Sequence, residues 1–562
     1  MKTSELTKEI KAKIETYTYD GIDDAIKLAE EHGTPDFFDK FLGELQLRCV
    51  RYNSDHVCSQ AKFFNLGMRG RAMYFKYRAL LGLVNIACKG SKAYEFRNNM
   101  KKIELIGHIW DDNMWKVHGG NVDLKYITNF SALTDIQIEE AGTISNMELI
   151  NSFKNLKRIS ISGLHPSEDN IPYSLRDIPL TSNKLSLPLI NWECVSLEEL
   201  NLKNIVEIEN LHFLAGLGNL KKINVSACKL NSFSGIPANI ENFSFRLSRI
   251  YPFNNSEFEY LRNLKKLKIV NIESTNSDFS FLADLNELDE LTISGQWDKY
   301  SDSPVISPRL FVIEKVIIPN LSNQKKIRSI NISNITQNLD FLEMNQEIEL
   351  INIGSPSFNS PIQNIKGLQN CNKIKHISII GCKGLVNLNG LEACKELDIT
   401  VKNTGIENLD GLKGCSRLSK FGTYVLKDIP GHWLPGANFS STDVETFSDG
   451  TNDLDLVIRN NTLYVSECNN LIDISGIKNA TNLMGLSIKS CKNLKNIKGI
   501  ETLQNLYEID FSGCSELEDI SVIKNYPKLK YINLTGCKKL KIKPEKSILE
   551  TKVEVDKYTN KL

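Results

Sequence analysis

The 562-residue chain carries 68 Lys plus Arg and 68 Asp plus Glu, so no overall electric field draws it towards nucleic acid or a membrane. Residues 1–13 are charged and lack the apolar core of a secretory leader, and no run of about 18 apolar residues occurs. These features predict a cytoplasmic protein that neither spans nor binds a membrane and needs no cofactor. The odd cysteine count, 13, also argues against a complete disulfide framework.

Residues 1–101 follow no repeat, and their apolar spacing predicts an N-terminal α-helical domain. Leu6, Ile10 and Ile14 recur every fourth residue, which places them on one face of a helix. A further helix is expected over residues 71–88. Such an atypical module is well placed to cap the open core of a repeat array.

Positive charge is concentrated in residues 62–102, which contain ten Lys or Arg and one acidic residue, interleaved with aromatic residues. Cations beside stackable rings suit a phosphate backbone, so nucleic acid is one predicted partner and an acidic protein is another. The alternative is that the rings form a core and the charges lie on the solvated faces of helices. The basic candidates are Arg69, Arg71, Lys76, Arg78, Lys101 and Lys102.

The rest of the chain is repetitive, and residues 463–540 repeat every 23 residues without a gap. Cysteines recur with this period at Cys468, Cys491, Cys514 and Cys537. The pattern predicts irregular repeats over 102–422, a register-breaking insertion over 423–460 and regular repeats over 461–545. Residues 546–562 are expected to form a terminal cap or tail.

The consensus of the regular block, LxxLxLxxCxxLxxIxxI, resembles the leucine-rich repeat of the bacterial type, with Cys where Asn is usual. The resemblance implies an α/β leucine-rich repeat solenoid, with a curved parallel β-sheet on its concave face and the α-helical domain before it. About 18 to 20 units are expected. The resemblance also makes the concave face the default binding surface.

In each LxL triplet the two apolar residues point inward and the residue between them points outward. The outward residues form a lane of short, polar and mostly uncharged side chains, which suits hydrogen bonding to another protein. Lys268 is assigned to the lane from the triplet 267–269, and Asp398 from the triplet 397–399. The binding candidates are Asn201, Asn224, Lys268, Thr292, Asn331, Asn352, Ser378, Asp398, Tyr464, Ser487, Asp510 and Asn533.

Two insertions, 295–309 and 423–460, interrupt the repeat register, and insertions of this kind often bind partners. A large aromatic side chain on an irregular loop is a candidate contact residue, although packing of the loop on the repeats is an equal alternative. The aromatic candidates in or beside register breaks are Trp192, Trp297 and Trp433.

The sequence contains few groups of residues that resemble a metal-binding or catalytic site. His108, Asp111, Asp112 and His118 lie close together but lack a defined metal-ligand spacing, so no metal site is predicted. The periodic cysteines fall one per layer and are expected to be buried structural thiols. No catalytic motif is found, so the protein is not expected to be an enzyme.

The sequence therefore predicts non-catalytic protein–protein recognition, or scaffolding, by the concave face and the inserted loops. One alternative is a sensor or accessory subunit of a bacterial antiviral-defence or regulatory system, whose basic N-terminal domain contacts nucleic acid or an effector. A second alternative is an effector delivered into a host cell.

Overall fold

The computed structural model describes 15 segments of the chain. They are residues 1–43, 46–51, 57–62, 71–110, 117–163, 185, 192–194, 196–205, 208–246, 253–273, 278–294, 316–333, 335–354, 359–419 and 461–562. These residues fall into two units, Met1–Leu267 and Lys268–Leu562, and each unit is described by itself.

Before residue 102, the described part of the chain contains five α-helices and one hairpin. The helices are α1 (Thr3–Ile14), α2 (Tyr19–His32), α3 (Pro35–Gly43), α4 (Arg71–Ile86) and α5 (Lys92–Asn99). The hairpin strands β1 (Gln46–Arg51) and β2 (Val57–Lys62) pair antiparallel. The sequence pattern does not predict this hairpin, because two six-residue strands do not stand out between helical patterns.

The helices form where apolar spacing and capping residues favour them. Leu6, Ile10 and Ile14 are all buried along one face of α1, as their four-residue spacing predicts. Helix α2 begins after Thr18, whose hydroxyl accepts a hydrogen bond of 3.1 Å from the N–H of Gly21. Burial of each aliphatic side chain stabilises the fold by about 1.5–3 kcal/mol.

The repeats of the unit Met1–Leu267 each add one strand to a parallel sheet. Its strands are β3 (Lys102–Ile106), β7 (Asp135–Ala141), β9 (Arg158–Gly163), β10 (Glu199–Lys203), β11 (Lys222–Ser226) and β12 (Asn242–Arg246). Each strand pairs in parallel with the next. Two small sheets flank this one: β4 (His108–Trp110) with β5 (Val117–Gly119), and β6 (Asn121–Asp123) with β8 (Thr143–Ser145).

The unit Lys268–Leu562 has a second parallel sheet of the same kind. Its strands are β13 (Ile269–Glu273), β14 (Glu290–Ser294), β15 (Ser329–Ile332), β16 (Leu350–Gly354), β17 (His376–Ile380), β18 (Glu396–Lys402), β19 (Arg417–Ser419), β20 (Thr462–Ser466), β21 (Gly485–Lys489), β22 (Glu508–Asp510) and β23 (Tyr531–Asn533). Strand β18 pairs with β19 through its first half and with β20 through its second half.

The C-terminal segment covers the last strand of this sheet. Strand β24 (Ile548–Leu549) pairs antiparallel with β23, and helix α6 (Lys552–Thr559) follows it. Thr551 and Glu554 form a capping box at the start of α6. Val555 and Tyr558 on α6 are buried, so the helix closes the core at this edge.

Alternation within each strand decides which residues form the core. In β21, Leu486 and Ile488 are buried, whereas Ser487 between them faces outward and is half-buried. The return segment of the same repeat buries Leu494 and Ile497, three residues apart. The same positions are apolar and buried in neighbouring repeats, so the core forms continuous columns.

The periodic cysteines form one of these columns and link adjacent repeats. The thiol of Cys514 donates a hydrogen bond of 3.2 Å to the backbone carbonyl of Ile488 in the preceding repeat. Thr404 takes the equivalent position before Cys468, and its hydroxyl lies 3.2 Å from the sulfur of Cys468. The cysteines thus act as small buried side chains that also satisfy backbone groups.

A second column consists of Asn and Asp residues that turn the chain into the return segment. The carboxylate of Asp473 accepts a hydrogen bond of 2.9 Å from the N–H of Ser475, and Asp519 accepts one of 2.9 Å from Ser521. The same bond occurs at Asn210, Asp278, Asn364, Asn387, Asn408 and Asn496. These side chains replace a backbone partner at each turn.

Within the described residues, the helices are all too short or too polar to traverse a lipid bilayer.

Candidate functional site

The lane residues of the unit Met1–Leu267 stand side by side across its sheet. Ser160 on β9 lies opposite Asn201 on β10, and Asn201 lies opposite Asn224 on β11. The row continues to Gln137 on β7 and to Ser244 on β12. Adjacent strands are about 4.8 Å apart, so neighbouring side chains in this row can contact one bound segment.

The unit Lys268–Leu562 has its own row at the equivalent strand positions. Its members are Asn271, Thr292, Asn331, Asn352, Ser378, Thr400, Tyr464, Ser487, Asp510 and Asn533. The eight residues from Asn271 to Ser487 are all uncharged and all able to form hydrogen bonds.

Lys268 does not belong to the lane, and the sequence-based assignment is wrong. In β13 the buried residues are Val270 and Ile272, and Asn271 between them lies opposite Thr292 on β14. The segment LKKLKIVNI contains two consecutive LxL-like triplets, 267–269 and 270–272, and pairing with β14 selects the later one. The leucine of the earlier triplet belongs to the buried column that precedes each strand.

Asp398 is also misplaced by the sequence pattern, although it does face outward. Strand β18 has seven residues with three alternating buried positions, so it offers two LxL-like triplets. Pairing with β17 selects the second triplet and places Thr400 opposite Ser378 in the lane. Asp398 instead lies opposite His376, and its Oδ2 is 2.7 Å from the Nδ1 atom of that histidine.

The lane side chains differ in how far they reach out from the sheet. Asn331 and Ser378 are only 9% and 3% exposed, so these two side chains protrude little from the sheet. Near the end of the row, Lys489 Nζ lies 3.1 Å from the carboxylate of Asp510. Asn533 donates a bond of 3.4 Å to the same carboxylate. The charge of Asp510 is therefore balanced within the sheet face.

A chain of ion pairs borders the lane in the unit Met1–Leu267. Arg158 lies between two carboxylates, 3.0 Å from Asp135 and 3.1 Å from Glu199, and Lys222 lies 3.2 Å from Glu199. Burial raises the pKa of Glu199, but the hydrogen bond from Asn201 and the charges of Lys222 and Arg158 outweigh burial and lower it. This border therefore carries little net charge.

Trp192 is not an exposed contact residue. Its ring is buried and packs edge-to-face on Phe213, with 5.4 Å between ring centroids, and the backbone N–H of Trp192 donates a bond of 3.1 Å to the carbonyl of Phe213. Packing of the aromatic side chain on the repeats is therefore the correct interpretation at this position. Trp297, Trp433 and the two register-breaking insertions lie outside the described residues.

Arg78 is buried, so its assignment to an exposed basic surface is wrong. Its Nη2 lies 3.6 Å from the carboxylate of Asp123, and both side chains are 7% exposed. Its guanidinium also donates to the carbonyl of Asn121 and stacks on the rings of Tyr19 and Tyr126, at 4.5 and 4.8 Å. A count of charges along the sequence cannot show which cations are paired in the interior.

Among the described side chains, Lys76, Lys101 and Lys102 do not form one surface with the buried Arg78. Arg69 lies outside the described residues, and of Arg71 only its position in α4 is described. Lys76 lies 5.7 Å from the centre of a tyrosine ring. Lys101 is exposed, and Lys102 is half-buried in β3.

Polar contacts fasten the N-terminal helices to the first repeat. Asp23 on α2 forms an ion pair of 2.8 Å with Lys125 and accepts a hydrogen bond from the hydroxyl of Tyr126. Burial, followed by this hydrogen bond, raises the pKa of Tyr126 to about 12. Asn85 on α4 donates a bond of 3.1 Å to the carbonyl of Lys125 and accepts one of 2.8 Å from the N–H of Asn129.

The described part of the chain has no cluster of three or more His, Cys, Asp or Glu residues arranged for a metal ion. His108 and His118 lie on β4 and β5, and the backbone register places His118 opposite Ile109. Asp111 and Asp112 lie outside the described residues, so the structure does not describe this cluster as a whole.

Sequence reasoning missed two outward-facing pairs of titratable groups. One is His376 with Asp398. The other is Glu104 with Glu139, on β3 and β7, where burial and the neighbouring carboxyl of Glu104 raise the pKa of Glu139. A scan of the lane positions and of the outward positions two residues before and after them would have found both pairs, since Glu104 lies opposite the lane residue Gln137.

Comparison with known proteins supports the repeat assignment. No family model matches the chain. Over 295 residues it is 25% identical to an uncharacterized leucine-rich repeat-containing protein of Amsacta moorei entomopoxvirus, and the match covers 51% of this chain and 50% of that protein. The chain thus matches about half the length of its curated relative.

Solved structures of low sequence identity are also similar to the chain. An internalin of Listeria monocytogenes has 13% identity and a TM-score of 0.41, with 82% of this chain and 94% of that chain covered. A leucine-rich repeat protein of Leptospira interrogans has 13% identity and a TM-score of 0.38, with 81% and 91% covered. Together with the 23-residue consensus and the one-strand-per-repeat sheets, the sequence relative identifies the chain as a leucine-rich repeat protein.

Proposed function

We propose that this protein recognises another protein through its lane, without catalysing a reaction, and that it does so in the cytoplasm. Leucine-rich repeat proteins in general mediate protein–protein recognition. The observation that carries the proposal is the uninterrupted row from Asn271 to Ser487, which is uncharged in every strand. Because Asn271 and Thr400 take the lane positions that the sequence assigns to Lys268 and Asp398, this row has fewer charged residues than the sequence predicts.

The composition of the row fits a protein interface. The centre of an interface is depleted of charged residues and its rim is polar, which avoids the cost of burying unpaired charges. Amide and hydroxyl side chains can donate to or accept from the backbone of a bound polypeptide. Asn331 and Ser378 are almost buried, so the half-buried Asn352 and Ser487 offer more accessible hydrogen-bonding groups to such a backbone.

The borders of the row support the same proposal, because their charges are paired locally. In the unit Lys268–Leu562, Lys375 lies 2.8 Å from Glu349 and Lys373 lies 2.6 Å from Glu347. Exposed pairs of this kind add little stability, but they leave few free charges to repel or attract a partner at long range. Selectivity at this surface then depends on hydrogen bonding and shape.

Affinity capture with the full chain tests this proposal. Asn224→Arg and Asn352→Arg each place a large cation in the lane, and Asn470→Arg places the same side chain on an exposed turn outside it. Partners captured by the unaltered chain should be lost with the two lane variants and retained with the control. Retention by both lane variants, with the fold intact by circular dichroism, would show that the lane is not the binding surface.

We also propose that the insertions 295–309 and 423–460 contribute contacts to the same partner. Their position between repeats supports this, because inserted loops in repeat arrays often form binding surfaces. Deletion of residues 423–460 from the full chain should reduce recovery of the partner. Unchanged recovery would count against the role of this loop and leave the role of the lane intact.

A further inference from the structure

The most regular part of the chain also carries an excess of basic residues. Residues 478–543 contain twelve Lys, no Arg and six acidic residues, a net charge of +6 within a chain whose total is zero. This excess lies far along the sequence from the N-terminal segment in which Arg78 is buried. A concentrated patch on a neutral protein creates a local field without general attraction to polyanions.

Six of these twelve lysines are displayed on the turn and return segments, away from the lane. Lys492, Lys495 and Lys498 each follow directly on a buried residue of a core column, so all three are exposed on the same side of their repeat. Two repeats further on, Lys538 and Lys541 occupy the first two of these positions and are also exposed. With Lys543, these residues form a surface that we term the lysine face.

Backbone hydrogen bonds place the lysines of the first and third of these repeats on the same side of the stack, with Glu518 of the middle repeat between them. The N–H of Glu518 donates a bond of 2.8 Å to the carbonyl of Lys495, and the N–H of Lys541 donates one of 3.0 Å to the carbonyl of Glu518. Lys495 and Lys541 are therefore two repeat spacings apart, about 10 Å. Successive lysines of one repeat are also about 10 Å apart along an extended chain.

The acidic residues beside the lysine face do not neutralise it. Glu516 is paired with Lys539, which is outside the face, at 2.6 Å. Glu501, Glu518 and Asp519 remain, against six lysines that have no ion pair with any described residue. The pKa of Asp519 is lowered mainly by hydrogen bonds from Ser521 and then by nearby lysines.

The fold does not require lysine at these positions. In the preceding repeat, the residues equivalent to Lys492, Lys495 and Lys498 are Asn469, Ile472 and Ser475. The repeat packs equally well with these residues, since the core columns beneath them are buried in both repeats. The charge is therefore an added property of the surface and not a consequence of packing.

The chemistry of the lysine face favours one class of partner. Residues 492–499 and 535–543 include no aromatic residue on which an unpaired base could stack and no Arg to read a base edge. Lysine ammonium groups act as point charges towards phosphates. We propose that the lysine face binds the phosphate backbone of double-stranded nucleic acid without sequence preference. This interaction is independent of the lane.

Fluorescence anisotropy with a labelled duplex of about 20 base pairs tests the proposal on the full chain, with duplex DNA and duplex RNA as separate probes. Binding with a micromolar Kd is expected at about 50 mM salt, the range of sequence-independent contacts. A triple variant, Lys492→Gln with Lys495→Gln and Lys498→Gln, should weaken binding at least tenfold. It should also reduce the slope of log affinity against log salt by roughly 2 to 3.

The matched control removes three exposed lysines from the other unit, as Lys8→Gln with Lys11→Gln and Lys89→Gln, and should change affinity less than about twofold. Absence of duplex binding by the unaltered chain at low salt would overturn the proposal, as would equal losses in both triple variants. Binding of polyglutamate or of phosphatidylserine vesicles in place of either duplex would also overturn it, and would assign the lysine face to an acidic protein or a membrane.

Discussion

The N-terminal helices and the C-terminal helix α6 both cover repeat strands, but they do so with different chemistry. Between the N-terminal helices and the first repeat, Arg78 and Asp123 are charged side chains that are each 7% exposed. At α6 the charged groups stay in solvent: Glu545 is 60% exposed and pairs with Lys557 and Lys561 at 2.9 and 3.0 Å. The contact of α6 with the repeats buries Val555 and Tyr558 without a buried charge, and the Tyr558 hydroxyl donates a hydrogen bond of 2.7 Å to the carbonyl of Ile542.

The N-terminal helices and α6 are the two covers of the repeats, and they differ in how strictly each fixes its position on the repeat beside it. A buried ion pair tolerates only one arrangement of its partners, because a displaced charge remains desolvated and unpaired. An apolar helix with surface ion pairs accepts small shifts at little cost. We therefore expect the N-terminal cover to fix one geometry on the first repeat and the C-terminal cover to act mainly by excluding water.

The largest expected effect comes from removing one member of the buried pair. Arg78→Ala leaves the buried Asp123 carboxylate with only the half-exposed Lys125 as a cation, at 3.6 Å, and removes the bond to the carbonyl of Asn121, so it should destabilise the unit Met1–Leu267 by about 3–5 kcal/mol. The shift of the urea denaturation midpoint of the full chain measures this loss. The control Lys13→Ala, which removes an exposed pair with Asp24, should change stability by less than about 1 kcal/mol. Equal midpoints for both variants would contradict the proposed difference between the two covers.

An alkaline titration should affect the second unit most, since burial raises the pKa of five of its thiols, at Cys371, Cys382, Cys394, Cys415 and Cys537, against two in the first unit, at Cys194 and Cys228. Burial raises the pKa of Cys371, Cys382 and Cys415 from 9.0 to about 12. Unfolded thiols lose their protons first, so stability is complete below pH 9 and falls as the pH rises towards 12. The loss should approach about 1 kcal/mol per thiol per pH unit.

Chemical denaturation under reducing conditions, with a probe in each unit, measures this alkaline loss. Replacement of Cys382 by Ala should flatten the pH profile of the second unit above pH 9, because one buried thiol no longer contributes. A profile that stays level from neutral pH to pH 10 would show that these thiols are accessible in the folded protein.

A smaller effect is expected at the N-terminus of α6. Thr551→Ala removes the hydroxyl that accepts a bond of 3.3 Å from the N–H of Glu554, and should cost about 1 kcal/mol. Protection of the α6 amides from hydrogen exchange should fall, whereas amides of β21 should be unaffected. Thr551→Ser, which keeps the hydroxyl, is the matched control. Loss of protection throughout the sheet would mean that α6 does more than cover one edge.

The smallest effect is expected at Glu545. Hydrogen bonds from Lys557 and Lys561 lower the pKa of Glu545 to about 2, but the side chain is exposed and solvent screens the interaction. Glu545→Gln should therefore leave the denaturation midpoint unchanged within error. A clear loss of stability would show that surface pairs hold α6 in place and would remove the contrast with the N-terminal cover.

The repeat fold could be predicted because the same apolar and cysteine positions recur in many successive repeats. The lane was predictable wherever a strand contains a single LxL triplet, as at Asn201, Asn352 and Ser487. The prediction failed at Lys268 and Asp398, where two triplets adjoin or overlap and only pairing with a neighbouring strand selects between them. Register is a property of two strands, and a pattern within one strand does not contain it.

The burial of Arg78 and Trp192 could not be predicted from the sequence for a related reason. Both residue types are common at surfaces and in interiors, and their partners, Asp123 and Phe213, lie 45 and 21 residues away. Local composition around Arg78 is basic, so charge counting places it on a surface. Only the tertiary contact with the first repeat shows that its charge is already compensated.

The 23-residue cysteine period has a consequence for how the length of such a protein changes by mutation. A duplication of one whole unit adds a strand, a thiol and a return segment, and every existing contact survives except those at the new junction. A one-residue deletion within a strand instead reverses its inward and outward faces, unless the strand has a further alternating residue to substitute, as β18 has. Mutations that add or remove whole repeats should therefore be retained more often than single-residue deletions. The number of lane positions would then change by one for each repeat gained or lost.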